Sequence, residues 1–206
     1  KATPSGKLPD TVAYDIEDYP ANDNFGNELT NLYKEDIYVG YRYFETFAPE
    51  KVQFEFGFGL SYTTFDIETV SADTDDEKIT LEVKVTNTGD KFSGKEVVQL
   101  YIAKPNGKLL KERKALAAFS KTGLLAPGEE EVCRLSFDLS DCTSYDEQTA
   151  SKILEAGEYG LYIGSDSRRN ELCGVLTLAQ TVIIEKLTNI LPLKKDFVEF
   201  IPKEKE

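Results

Sequence analysis

Thirty-seven Asp and Glu residues and not one His limit the chemistry this chain can do. Without imidazole, nucleophilic triads of the Ser-His-Asp kind and His-ligated metal centres are excluded. What remains is carboxylate chemistry, in which a general acid needs apolar surroundings to raise its pKa. Glu55, beside Phe56 and Phe58, has such a setting. With carboxylates this abundant no single pair is informative, and a structural role for Glu55 is expected. Asp15, Glu17 and Asp18 lack the backbone turn and spaced ligands of a calcium loop, so solvated loop carboxylates are expected there. Arg42 could grip a carboxylate as a planar fork, with a structural ion pair as the plainer expectation. The sequence contains no GxSxG, phosphate loop or dinucleotide fingerprint. No catalytic residue, substrate-binding residue, metal or cofactor is assigned.

The overall charge narrows the partners. A net charge of −13 with pI ≈ 4.6 argues against nucleic acid and against an anionic membrane surface. No apolar run approaches the ~20 residues of a membrane-spanning helix, and no leader pattern is visible. The chain contains no Met and opens in mid-motif, so a piece of a longer protein is expected. Cys133, Cys142 and Cys173 are odd in number and form no C-x-x-C spacing. Free, buried or half-buried thiols are expected, which favours a reducing, cytoplasmic compartment over secretion.

The elements that position these groups are organised around Glu55-Phe56-Gly57-Phe58-Gly59-Leu60-Ser61-Tyr62-Thr63-Thr64-Phe65. Gly57 and Gly59 lack side chains at alternate positions, so another backbone or ring can approach there. Upstream, residues 1 to about 32 hold Pro, Gly, Asn and Asp without a period and read as irregular. Tyr33 to Phe47 alternates with bulk on both faces and reads as a strand covered on both sides. Exposed, it would be a large aromatic patch, so it is read as made to dock on a neighbouring domain. The expected interface residues are Tyr38, Tyr41, Arg42, Tyr43 and Phe44, with Phe56, Phe58 and Tyr62 from the hinge.

Downstream, Phe65–Val70 and Ile79–Asn87 alternate as strands, with an acidic turn over Asp73 to Glu77. Gly94 to Ala103 is the next strand, and Pro105-Asn106-Gly107 a turn. Lys114 to Leu125 fits a strand or a short helix. Ala126-Pro127-Gly128-Glu129 has the Pro-Gly order of a type II turn. Glu131 to Leu139 alternates with Val132, Leu135, Phe137 and Leu139 partly in register. Asp141 to Glu155 is polar and could carry a helical turn. Tyr159–Gly164 and Val175–Glu185 close the set, separated by the polar Ser165–Glu171 loop. About seven short strands with turns between them predict an all-β sandwich of the immunoglobulin or fibronectin-III type, with an irregular N-terminal arm. The tail holds Leu187, Ile190, Leu191, Leu193, Phe197, Val198, Phe200 and Ile201, more apolar than a frayed end.

Phe56-Gly57-Phe58-Gly59-Leu60-Ser61-Tyr62-Thr63-Thr64-Phe65 resembles the segment that opens the fibronectin-III-like domain of glycoside hydrolase family 3 enzymes, which include many β-glucosidases. The resemblance extends through Pro4–Pro9, Tyr33–Phe44, Val97–Ile102, Leu125–Glu129 and Gly157–Tyr159, in the family's order. It implies a division into 1–53, the end of an α/β sandwich domain and a connecting arm, 54–186, the fibronectin-III-like domain, and 187–206, a tail or linker. The family places its nucleophile, an Asp, in a barrel and its acid/base, usually a Glu, in the α/β sandwich, and neither motif has a counterpart here. The resemblance therefore implies a non-catalytic part that buttresses those catalytic domains, in cis or as a separate chain. The parent would be a retaining β-glucosidase. In permuted members the barrel follows this domain, an order the apolar tail would suit. An independent polysaccharide- or protein-binding module, or one chain of a split enzyme, are the alternatives. One departure is the Tyr145–Gly157 loop, which often carries a Trp in the family and carries none here.

Overall fold

Strands whose alternate residues are apolar bury one face each, and seven of them here enclose a single core. A computed structural model describes residues 2–29, 32–75 and 78–191. In chain order the strands are β1 (Val12–Ala13), β2 (Val52–Phe54), β3 (Phe65–Asp75), β4 (Lys78–Asn87), β5 (Val97–Ala103), β6 (Ala115–Lys121) and β7 (Glu130–Asp138), then β8 (Ser144–Asp146), β9 (Ser151–Leu154), β10 (Gly157–Gly164), β11 (Asn170–Leu178) and β12 (Val182–Lys186). The α-helix α1 (Tyr41–Phe47) precedes β2. Antiparallel sheets ordered β3-β4-β7 and β11-β10-β5-β6 form the expected sandwich. β1-β2 and β12-β9-β8 are additions to it.

Register follows burial. Ile79, Leu81 and Val83 of β4 stand opposite Phe137, Leu135 and Cys133 of β7, and all six are buried. Val98, Leu100 and Ile102 face them from β5, and Tyr159, Leu161 and Ile163 from β10. Leu135 and Phe137 fix the parity of β7, so Cys133 points inward and Val132 faces out, the partial register expected. The Tyr159 hydroxyl donates to the Glu155 carbonyl at 2.8 Å, a tyrosine corner that anchors the start of β10.

Several local expectations change. Tyr33–Phe47 is not a strand: Gly40, at φ 61°, leads into α1. Aromatic side chains at 38, 41, 43, 44 and 47 fit a period of 3.6 as well as 2, and the helical spacing of Phe44 and Ala48 builds a small core with Ala13 and Val52. Asp141–Glu155 holds a 3-10 turn (Leu139–Cys142) and then the β8–β9 hairpin, with Ala150 at φ 49°. The expected last strand is two: β11 ends at Leu178, and β12 crosses to pair with β9.

Ala126–Glu129 is the turn expected, with Gly128 at φ 77° and Glu129 N–H donating to Ala126 O at 2.9 Å. Pro105–Gly107 is not a hydrogen-bonded turn. The Glu155 carboxylate captures the N–H groups of Lys108 at 2.6 Å and Leu109 at 3.3 Å and holds the loop open. Lys111, buried with it, completes an ion pair to the same carboxylate. Burial alone would raise the Glu155 pKa, but the Lys111 hydrogen bond, the two N–H donors and the Lys111 charge outweigh it and leave the pKa below the usual carboxylate range. Asp76, Glu77 and the tail beyond Leu191, including Leu193, Phe197, Val198, Phe200 and Ile201, lie outside the described residues.

Candidate functional site

The stretch that organises the sequence is also the junction of the arm with the sandwich. Gly57, at φ 86°, has its N–H bonded to Leu8 O at 2.9 Å, and Leu8 N–H returns to Phe58 O at 2.8 Å. A Cβ on Gly57 would lie 2.9 Å from Asp166 Cα, and one on Gly59 would lie 2.6 Å from Gly6 O. Both glycines therefore admit backbone where a side chain would not fit. Thr3 and Lys7 fasten the same segment, through Ser93 O at 2.5 Å and Glu96 at 2.8 Å.

The β10–β11 loop clamps this junction from the other side. Asp166, fully buried, accepts from Arg168 N at 3.0 Å, Arg169 N at 2.6 Å and Arg169 Nε at 2.6 Å. Arg169 Nη2 reaches Glu55 at 3.1 Å, and Arg168 Nε reaches Glu45 of α1 at 2.8 Å. Ser167 N–H donates to Phe56 O at 3.0 Å. Glu55 is thus held as an ion-pair partner in the junction.

The expected interface residues are divided by the structure. Tyr38 and Phe44 are 2% and 1% exposed, packed within the chain itself, so they present no ring to a neighbour. Tyr38 stacks edge-on against Phe47 at 4.7 Å, and Phe44 against Tyr19 at 5.2 Å. Tyr41 lies 4.7 Å from Phe56 and 6.1 Å from Tyr101, and its hydroxyl accepts from Leu116 N at 2.8 Å. Burial pushes the Tyr101 phenol above its usual range. Phe58 packs on Phe54, and Tyr43 is half-buried over Phe44 and Phe47. Arg42 sits 5.9 Å from the Tyr41 ring and has no acidic partner among the described residues. Tyr62 is exposed beside Phe92.

The bare apolar surface lies elsewhere on the arm. Phe25, Leu29 and Tyr33 are 90%, 93% and 82% exposed, and Tyr14 and Ile16 are also exposed. Sequence reasoning passed over them because they sit in a stretch without periodicity. The usable signal was large apolar side chains in a loop that supplies no core for them.

Asp15 caps the short turn Ile16–Asp18 by accepting from Glu17 N at 3.1 Å, and Asp18 pairs with Lys51. Among the described residues no three acidic or sulfur ligands converge as a metal site. The cysteines are free: Cys133 and Cys142 are buried, and burial pushes the Cys142 thiol up to about 11.

A seven-stranded sandwich entered through a Gly-rich aromatic hinge defines a fibronectin type III-like domain with an N-terminal arm. The model of the fibronectin type III-like domain matches residues 96–167. A β-glucosidase of Ruminococcus albus is 46% identical over 93% of this chain, and β-glucosidase A of Butyrivibrio fibrisolvens is 42% identical over 93%. The crystal structure of a β-glucosidase from Paenibacillus barengoltzii superposes with a TM-score of 0.89 at 48% identity, over 91% of this chain and 22% of that one. The chain belongs, by its fibronectin type III-like portion, to the β-glucosidase-like glycoside hydrolases of family 3. It spans 20% and 26% of the two bacterial relatives.

Proposed function

We propose that the chain is the non-catalytic C-terminal portion of a family 3 glycoside hydrolase, a retaining β-glucosidase, and buttresses its catalytic domains. In this reading residues 1–53 complete an α/β sandwich domain and form the connecting arm, 54–186 are the fibronectin-III-like domain, and 187–206 are a tail or linker. The observation that carries it is the arm's surface. Phe25, Leu29 and Tyr33 are almost fully bare although Lys7 and Glu45 tie other parts of the arm to the sandwich, and monomeric proteins seldom leave large apolar surface unpartnered. Support also comes from the relatives, which are β-glucosidases several times longer than this chain.

The test is to replace Phe25, Leu29 and Tyr33 with Ser in the full-length enzyme and in the 206-residue chain. Burial of each such side chain contributes ~1.5–3 kcal/mol. The full-length enzyme should therefore melt several degrees lower and lose aryl-β-glucoside hydrolysis on mild heating. The isolated chain should melt unchanged. Equal behaviour of the full-length variant and its parent would overturn the proposal.

A further inference from the structure

Asn106-Gly107 is the single Asn-Gly pair among eight Asn residues, and the fold does not use it as a turn. Both residues are exposed, in an irregular loop between β5 and β6. Among the described residues neither the Asn106 side-chain amide nor the Gly107 N–H has a hydrogen-bond partner, so no hydrogen bond of their own restrains them. Gly107 carries no Cβ to shield its nitrogen from the neighbouring carboxamide carbon. The structure explains why this position is open. The Glu155 carboxylate lies against Gly107, where a Cβ would strike its Cδ at 2.6 Å, so a side chain here would displace the carboxylate.

We infer that Asn106 is a site of spontaneous deamidation, placed so that the new charge acts on the buried ion pair behind it. The Gly107 nitrogen gives its proton to solvent base and bonds to Asn106 Cγ. The bond from Cγ to the side-chain nitrogen breaks, and ammonia leaves. Water opens the resulting five-membered imide at either carbonyl, giving an aspartate or an isoaspartate at 106. Either product adds a carboxylate next to a loop whose Lys108 N–H is held by Glu155 at 2.6 Å. The new carboxylate has the same charge as Glu155, whose carboxylate lies against the adjacent Gly107, and the two repel. Isoaspartate also lengthens the backbone just before Lys108 and draws that N–H off its acceptor.

The remaining asparagines lack this combination. Asn87 is fully buried, with donors and acceptors engaged, and is followed by Thr88. Asn170 donates its side chain to Asp166 O at 2.9 Å and is followed by Glu171. Asn22, Asn24, Asn27, Asn31 and Asn189 precede Asp, Phe, Glu, Leu and Ile, whose side chains crowd the attacking nitrogen.

The experiment is timed incubation of the 206-residue chain at mildly alkaline pH, followed by peptide mapping and labelling with an isoaspartyl methyltransferase. The peptide containing Asn106 should gain the mass of an amide converted to a carboxylate, and accept label, severalfold faster than every other Asn-containing peptide. Asn106→Ala, which removes an exposed side chain without partners, should abolish that label. An Asn106 peptide that ages no faster than those with Asn22 or Asn189 overturns the inference, as does label that persists in Asn106→Ala.

Discussion

Replacing Glu155 with Gln tests whether the Lys111 ion pair behaves as a buried pair. The Glu155 and Lys111 side chains are 7% and 4% exposed, and the carboxylate also accepts from Lys108 N at 2.6 Å and Leu109 N at 3.3 Å. A Gln amide keeps one acceptor oxygen, so one N–H stays paired while the other meets an NH2. Lys111 keeps only its bond to Leu109 O at 3.0 Å and loses its counter-charge. Breaking a buried pair from one side costs about 3–5 kcal/mol. At about 2–4 °C per kcal/mol for a chain of this size, the melting midpoint should fall by roughly 6–20 °C. Far-UV circular dichroism is the suitable probe, since the chain has no Trp. Removing both charges, as Lys111→Met with Glu155→Gln, should recover much of the loss, because apolar replacement of a buried pair is often neutral. The pH dependence has a definite sign. The Glu155 pKa is lowered on folding, so its stabilisation is present above the ordinary Glu range and is lost as pH falls through the lowered value. Glu155→Gln should therefore flatten the acid limb of the stability curve. A single variant costing under about 1 kcal/mol, or a double variant as costly as the sum of the singles, would refute the reasoning.

Substitutions at two further positions probe the junction. Asn87→Ala removes donors to Phe92 O at 3.0 Å and Leu125 O at 2.9 Å and acceptors for Thr63 Oγ1 at 2.6 Å and Gly89 N at 3.1 Å. A loss of about 2–4 kcal/mol is expected in urea melts, and near-isosteric Asn87→Asp should do no better, since a carboxylate cannot donate to two carbonyls. Gly57→Ala puts a Cβ at φ 86° and 2.9 Å from Asp166 Cα. It should cost at least ~1–3 kcal/mol and speed limited proteolysis between the arm and β3, whereas unchanged cleavage would mean that the clamp does not hold the arm.

The sandwich was legible because its strands alternate cleanly: Ile79 to Val85 and Val98 to Ile102 can bury only one face each. The inward parity of Cys133 follows from Leu135 and Phe137 two and four positions on, which share its face. The 33–47 stretch misled for a different reason. When both faces carry rings, helix and strand predict the same buried residues, and Gly40 decided for the helix from a conformation that composition does not encode. The Asn-Gly turn failed because Glu155, 49 positions downstream of Asn106, takes the loop's donors. Such a long-range capture leaves no local trace.

The division of the arm into a buried and a bare side bears on how it would dock on the catalytic domains proposed above. Its inner rings are already satisfied: Tyr38, Tyr41 and Phe44 bury against the chain's own residues, and Arg168 and Arg169 lock the flanking carboxylates. The barest apolar side chains of the arm among the described residues, Tyr14, Ile16, Phe25, Leu29 and Tyr33, are left to contribute to docking. At ~1.5–3 kcal/mol each, five such side chains supply roughly 8–15 kcal/mol of gross burial. Association of separate molecules costs an estimated 4–15 kcal/mol in lost freedom, which would leave a two-chain assembly marginal. Covalent continuity with the partner removes much of that cost by raising the effective concentration. The same apolar surface that would hold a separate chain only weakly is thus ample for a domain in cis. On this argument the chain added in trans to an enzyme lacking it should restore thermal stability only at high concentration, and tight rescue at nanomolar levels would count against it.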